Sequence, residues 1–410
     1  MHQPDPSEVT SPAAARARLV TELRHRGGFL SQAVQDAFAR VPRHVFVPEV
    51  GAAAAYRDEA LVIKCGPDGL PVSSSSQPAM MAIMLDQLGL QRGDRVLEIG
   101  TGTGYNAAVM SEVVGPGGHV VSLDIDADLV ARARSSLLAA GYDTVTVLCA
   151  DGGYGDPAGA PFDRIIVTAG AWDIPPAWLD QLGRGGRLVL PLSIRGVQLS
   201  VALERIGHDW LSTSACRCGF VRMLGAFAGP ETALRFDGPQ ALVAQMSDGS
   251  PVDGSALQRA LAGPVADVPV TAPLASVADL ADLDLWLTVS SPELARLTVL
   301  AAPGEWLPFA PLLPFGGLVE HAADPELIGI AVLLSAEEVP PGAVLSGLGP
   351  GGEHLAVRLA ERARDWAGLG RPGAGRLQLT VRPAGDMRPA APGRLVLRRP
   401  SVTIEASWRG

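Results

Sequence analysis

The chain has 410 residues, 47% of them hydrophobic and 19% charged, a globular composition too long for one typical domain. Lys plus Arg number 33 against 43 Asp plus Glu, and the net charge of −10 argues against a nucleic-acid partner and against an anionic membrane surface. Cys65, Cys149, Cys216 and Cys218 form no CxxC pair and have no histidine at ligand spacing, so no metal site is expected and the thiols read as buried in a reducing compartment. No apolar run of about eighteen residues and no signal-peptide core is found, which makes the cytoplasm the expected location.

Residues 1–12 read as a polar, Pro-containing tail. Ala13 to Arg26 has helix formers with Leu19 and Leu23 four apart, and Gly27-Gly28 stops it. Ser31 is placed to cap a second helix, Gln32 to Arg40, with Ala33, Val34, Ala37 and Phe38 on one side. In VPRHVFVPE, Val41 to Glu49, prolines bracket an extended apolar segment that reads as a loop strapped to the core. Its Arg43 and His44 read as packing residues, not catalytic ones. Ser73 to Ser76 would pass for a solvated linker, except that an apolar helix, Ala79 to Leu88, follows at once.

Arg95 to Asn106, RVLEIGTGTGYN, is the centre of the chain. An alternating strand, Arg95 to Ile99, runs into Gly100, Gly102 and Gly104, and helical spacing begins at Asn106. Glycine there lets a ligand approach the main chain, and the new helix offers it free N–H groups. Gly102, Gly104 and Ala107 satisfy a dinucleotide fingerprint, with Asp124 about twenty residues on. Glu98, however, would set like charge against a pyrophosphate. A sulfonium with an ammonium and no phosphate suits it, which favours S-adenosylmethionine over NAD. A third acid, Asp151, ends the strand-like run Val145 to Ala150, so three strand ends in succession carry one each. The E-x-G-x-G-x-G form resembles motif I of class I methyltransferases, and that resemblance implies cofactor contacts from Glu98, Gly100, Thr101, Gly102, Gly104, Asp124, Ile125, Asp151 and Gly152.

Further strands are expected at His119 to Leu123, Arg164 to Thr168 and Arg187 to Leu192, with helices near Asp126 to Ala140 and Trp172 to Leu182. This alternation predicts a doubly wound parallel sheet with ligands at the carboxyl ends of its strands. Leu199 to Ile206 and Ser212 to Cys218 read as antiparallel end strands. Beyond Gly229-Pro230, strands are expected at Leu285 to Val289, Leu327 to Leu334, Leu377 to Val381 and Val402 to Ser407, with an amphipathic helix from Glu353 to Ala367. Loops rich in Pro and Gly fall at 303–317 and 340–352, and His321 and His354 read as surface residues.

Several segments in order resemble the protein-L-isoaspartate O-methyltransferase family. They are Val41 to Pro48, Ala55 to Ala60, Ser73 to Pro78, Pro161 to Ala171, Ile174 to Leu182, Gly185 to Leu192 and Phe220 to Gly225. Where members carry Q-T-I-S-x-P this chain has Ser73-Ser74-Ser75-Ser76-Gln77-Pro78, so the resemblance implies that Ser76 is the active-site serine, with Ser75 or Ser74 assisting. It places Val221 and Arg222 in a substrate loop. The architecture it implies is a class I methyltransferase domain of Rossmann-like α/β fold over 13–229, followed by a smaller α/β domain over 230–410 for peptide recognition or subunit contact. The implied reaction is S-adenosylmethionine-dependent methylation of an isoaspartyl or aspartyl carboxylate in a peptide or protein partner, leading to succinimide. The added domain and the serine substitutions lean toward tailoring of a ribosomally made peptide over general repair. An NAD-dependent oxidoreductase and a non-catalytic peptide-binding protein remain as other readings.

Overall fold

The computed structural model describes residues 11–409 except 68, 231, 237–241, 247–252, 273, 275, 302–316, 321–327, 336–342, 387 and 390–393. Residues 1–10 of the expected tail, His321 and most of the loop over 303–317 lie outside the described residues. The chain divides into two compact units, Met1–Pro191 with Ser200–Ser214 and Cys218–Phe227, and Leu192–Leu199 with Ala215–Arg217 and Ala228–Gly410.

The first unit opens with α1 (Pro12–His25), α2 (Gln32–Arg40) and two single turns, α3 (Arg43–Phe46) and α4 (Ala52–Ala55). The hydroxyls of Ser11 and Ser31 accept N–H bonds at the first two N-termini. Next come β1 (Leu61–Cys65), β2 (Pro71–Ser75), α5 (Pro78–Leu88), β3 (Arg95–Ile99), α6 (Tyr105–Val114), β4 (His119–Asp124), α7 (Ala127–Ala139), β5 (Thr146–Cys149), β6 (Phe162–Val167), α8 (Pro176–Asp180), β7 (Leu182–Ile194), β8 (Val197–Ile206) and β9 (Asp209–Arg217). The sheet order runs β5-β4-β3-β6-β7-β8-β9, with β5 through β7 in parallel. From β3 the chain winds to one side through β4 and β5, then returns to the other side for β6 and β7. That reversal makes the carboxyl end of β3 the switch point at which such sheets take ligands.

Local differences from the expected elements have identifiable causes. The segment over Val41 to Glu49 is not wholly extended, since α3 follows Pro42, whose fixed φ suits the residue before a helix. The serine run is a strand, β2, paired antiparallel with β1, a partner that the sequence reading did not foresee. The helix expected over Trp172 to Leu182 shrinks to α8, because Pro175 and Pro176 delay its start and β7 begins at Leu182.

The second unit contains β10 (Thr232–Phe236), β11 (Leu242–Met246), α9 (Gly254–Leu261), β12 (Val265–Val270), α10 (Val277–Ser290), β13 (Ala295–Ala301), β14 (Gly317–Glu320), β15 (Gly329–Ser335), β16 (Ala343–Leu348), α11 (Gly352–Gly368), β17 (Leu377–Pro383), β18 (Leu395–Arg398) and β19 (Val402–Trp408). Seven of these strands form an antiparallel sheet in the order β10-β11-β13-β14-β15-β16-β12. Alternation along β15 sends Ala331 and Leu333 to the side of α10 and α11, and Ile330 and Val332 to the side of α9. At the sheet edge, β12 carries the exposed Pro269. The strand expected at Leu285 to Val289 is instead the end of α10. Alternation in LDLWLTV mimics a strand, but a capping box of Ser276 with Asp279 starts a helix whose Leu285, Trp286, Leu287 and Val289 are all buried, so no polar face betrays its period. Part of the loop expected over 340–352 is strand β16.

Gly104 starts α6 at φ 86°, and a Cβ there would lie 3.3 Å from Ala133 and Leu137 of α7. Gly104→Ala therefore combines left-handed strain with crowding between α6 and α7 and should cost about 2 kcal/mol of unfolding free energy, read from the denaturant midpoint. An unchanged midpoint would refute that account.

Candidate active site

The strand, turn and helix at β3 and α6 build the floor of a cleft of about 840 Å³, counting the open solvent at its mouth. Gly100 and Gly102 take φ of 100° and 53°, which only glycine adopts without strain. A Cβ at Gly100 would sit 2.4 Å from the Thr168 hydroxyl, so the turn lies hard against the end of β6. Thr168 fixes that approach, donating to the carbonyls of Gly100 (2.6 Å) and Ile99 (3.1 Å).

Glu98 lies under this floor, fully buried. Register places it beside Ser122 of β4, whose hydroxyl donates to Oε2 at 2.6 Å, while the Asn106 amide donates to Oε1 at 2.8 Å. Thr101 extends the chain through a 2.7 Å contact with Ser122. Among the described residues no cation lies within 4.0 Å of Glu98, so burial pushes its carboxyl up to about 7 against the opposing pull of Ser122 and Asn106. Glu98 thus sits at the base of the cleft, with both oxygens already hydrogen-bonded. Asp124 ends β4 and accepts from the Gly102 N–H at 2.9 Å and the Asp126 N–H at 3.1 Å, and burial raises its carboxyl above the ordinary range.

The opposite wall is the serine strand. Ser73 and Ser75 are buried, Ser74 and Ser76 half-buried, and all four line the cleft. A Cβ added at Gly102 would stand 3.6 Å from the Ser74 carbonyl and 3.8 Å from the Ser73 hydroxyl, so this strand passes directly over the glycine turn. At its far end Lys64 of β1 reaches Asp126 at 2.5 Å, tying the hairpin to the start of α7. The third wall is 221–224, hooked beside the end of β6: the Gly170 N–H donates to the Val221 carbonyl at 2.8 Å and the Met223 N–H to the Gly170 carbonyl at 3.0 Å. Val221 and Arg222 both line the cleft.

Of the residues proposed from sequence, Ser74, Ser75, Ser76, Glu98, Gly100, Thr101, Gly102, Asp124, Ile125, Gly152, Val221 and Arg222 converge on this cleft. Gly104 and Asp151 do not line it. Gly104 serves the packing of α6 on α7, and Asp151 accepts from the N–H groups of Gly153 (2.9 Å) and Ala226 (2.8 Å), pinning the 225–227 segment. Trp178, fully buried, donates to the Gly152 carbonyl at 2.8 Å and so fixes the cleft glycine next to Asp151. The sequence reading missed Tyr105, Asn106, Thr168 and Leu224, which also line the cleft. The position of Thr168 just past the end of a parallel strand was a usable signal, whereas a polar residue on the first turn of an apolar helix gives none.

The donor set suits a cationic amino-acid nucleoside. Asn106 Oδ1 is a buried acceptor without a partner among the described residues, a fit for an ammonium, and the acids Glu98 and Asp124, both raised by burial, ionise more readily beside a cation and form no phosphate cradle.

The family described as protein-L-isoaspartate(D-aspartate) O-methyltransferase matches residues 14–226. The protein-L-isoaspartate O-methyltransferase of Ignicoccus hospitalis is 45% identical over 177 residues, covering 43% of this chain and 81% of that one. The protein of the same name from Methanopyrus kandleri is 40% identical over 222 residues, covering 53% of this chain and 96% of its own length. A solved structure described as a protein-L-isoaspartate O-methyltransferase shares the fold with a TM-score of 0.50 at 23% identity, over 89% of this chain and 96% of that one.

Because the folded-state carboxyl of Glu98 is raised from 4.5 to about 7, the native state holds a proton that the unfolded state releases between those values. That stabilisation is complete below pH 4.5 and is lost as pH rises through 7, up to roughly 3 kcal/mol. Glu98→Gln should flatten the fall in unfolding free energy between pH 5 and 8, measured by denaturation at a series of pH values. A variant with the same slope as the parent would show that another group carries it.

Proposed function

The chain belongs to the protein-L-isoaspartate(D-aspartate) O-methyltransferase family, and from that premise we propose that its cleft methylates the α-carboxylate of isoaspartyl residues in peptides and proteins, with S-adenosylmethionine as donor. The observation that carries this reading is the pairing of two walls: the buried Glu98 and half-buried Asp124 at the glycine turn and a hydroxyl-bearing strand above it.

S-adenosylmethionine supplies a methyl group already activated on a sulfonium. Glu98 and Asp124 oppose its positive charge, and Asn106 Oδ1 offers an acceptor to its ammonium. The acceptor carboxylate is ionised at neutral pH, so no strong base is needed and the remaining task is alignment in a dry site. Serine hydroxyls and backbone N–H groups suit that task. They orient a carboxylate without the tight bidentate grip of an arginine, which would hold the ground state. Ser76 is the clamp, with Ser75 or Ser74 assisting. The methyl ester has a better leaving group than the acid, and attack by the neighbouring backbone nitrogen on the ester carbonyl expels methanol and closes a succinimide.

The source of the acceptor is a finer matter. The serine substitutions and the second unit lean toward a constrained aspartyl peptide under tailoring. Against that lean, the solved structure matching 89% of this chain shows that the fold of the longer form also occurs under the general family name. Isoaspartyl peptides and proteins in general are therefore the reading adopted.

Mass spectrometry with a labelled methyl donor tests it on three peptides: an isoaspartyl peptide, its aspartyl isomer and a precursor peptide encoded nearby. Methylation of the first is expected. Methylation of the precursor alone would establish tailoring, and calorimetric binding of NADH in place of S-adenosylhomocysteine would establish an oxidoreductase. Ser76→Ala should lower the rate of ester formation by about a hundredfold, as the loss of one preorganised donor does, while leaving S-adenosylhomocysteine affinity within about twofold. Equal loss of both would make Ser76 a residue of the fold.

A further inference from the structure

Arg43 was read from sequence as a packing residue, and its surroundings show what it packs. The guanidinium is fully buried, and among the described residues no carboxylate lies within 4.0 Å of it. Its acceptors are uncharged: the carbonyls of Arg57 and Glu59 (both 3.3 Å), the Ser75 carbonyl (3.4 Å) and hydroxyl (3.3 Å), and the Ser76 carbonyl at 2.9 Å. The ring of Tyr105 lies 5.7 Å away, beneath the cation. The acid of the same loop, Asp58, is occupied by the Ala79 N–H at 2.8 Å and by Arg26 at 3.7 Å.

A buried charge without a counter-ion is costly, and an apolar residue would pack this loop more cheaply. We propose that Arg43 is a positioning residue for the acceptor: its cation fixes the Ser75–Ser76 backbone and supplies the positive field that draws an ionised carboxylate to that strand. The inference rests on the carboxylate-acceptor reading given above.

Geometry supports both halves. With the Ser75 and Ser76 carbonyls turned toward the guanidinium, the planar trans peptide directs the N–H groups of Ser76 and Gln77 the opposite way. A carbonyl bonded to a cation polarises its peptide unit, which makes each of those N–H groups a stronger donor. No carboxylate pairs directly with the guanidinium, and Asp58, which opposes its charge from farther off, is itself shared among Gln77, Ala79 and Arg26, so part of the field extends into the cleft that Ser75, Ser76 and Tyr105 line. Across the glycine turn Glu98 is the mirror case, a fully buried acid with no cation within 4.0 Å among the described residues. The buried acid and the buried cation stand on the two sides at which a cationic donor and an anionic acceptor would lie.

The test compares binding of an isoaspartyl peptide with that of the same peptide bearing a carboxamide in place of the α-carboxylate, both in the presence of S-adenosylhomocysteine. The parent protein should prefer the carboxylate by about tenfold or more, and Arg43→Met should bring the two affinities within about twofold while still binding S-adenosylhomocysteine. Arg43→Lys should keep the preference but lower kcat several-fold, since a single compact ammonium cannot reach the Arg57 carbonyl and the Ser75 and Ser76 carbonyls together as Nη1 and Nη2 of the planar guanidinium do. Parallel loss of both peptides in Arg43→Met, or an unchanged preference, would overturn the inference in favour of a purely structural role. If the Met variant fails to fold, judged by lost S-adenosylhomocysteine binding, the Lys variant decides, and loss of its preference overturns the proposal. A parent protein that binds both peptides equally overturns it as well. One that binds S-adenosylhomocysteine and neither peptide overturns the acceptor reading itself, and this inference with it.

Discussion

The turn between β3 and α6 sets the terms for the whole first unit. Three glycines at positive φ let the chain leave the sheet against Thr168 on one side and α7 on the other, with the serine strand passing above. Beneath the turn Glu98 has no exposed surface. Its carboxylate must be satisfied by Ser122 and Asn106, and those two side chains then define the floor. Fold and site are one construction here, since the contacts that close the core also arrange the polar groups of the cleft.

The cleft is assembled from segments far apart in sequence, and each has its own anchor. Arg43 holds the serine strand by its carbonyls, Lys64 ties the hairpin to Asp126, and Gly170 hooks 221–223 beside β6. Lys64 is a half-exposed pair whose contribution to stability is small. The Arg43 guanidinium is fully buried and its acceptors are uncharged, so its contacts resist screening by salt.

Much of this was legible in the sequence because the decisive signals are local. Strand, glycines and helix in RVLEIGTGTGYN, and acids at successive strand ends, depend on spacing alone, and the parallel order follows from alternation of elements. What was not legible depends on partners distant in the chain. Nothing in PVSSS announces that LVIKC, on the other side of a turn, will pair with it and convert a linker-like run into a strand. Asp151 reads from sequence as a ligand-facing acid at a strand end, and the ties of its oxygens to Gly153 and to Ala226, seventy-five residues on, have no signal there. In the second unit the period-two pattern of LDLWLTV misled because that half of α10, Leu283 to Val289, is buried on every side, which removes the polar stripe by which a helix is recognised.

The edge strand β12 bears on the behaviour of the chain outside its native fold. An outermost strand offers its outward N–H and C=O groups to any extended segment that drifts alongside. Pro269 interrupts that row, because its ring has no hydrogen to give and its bulk stands where a new neighbour would lie. A second molecule therefore finds a broken template there, and the seven-stranded sheet is guarded at that border against growing into a polymer when the protein is crowded or newly made.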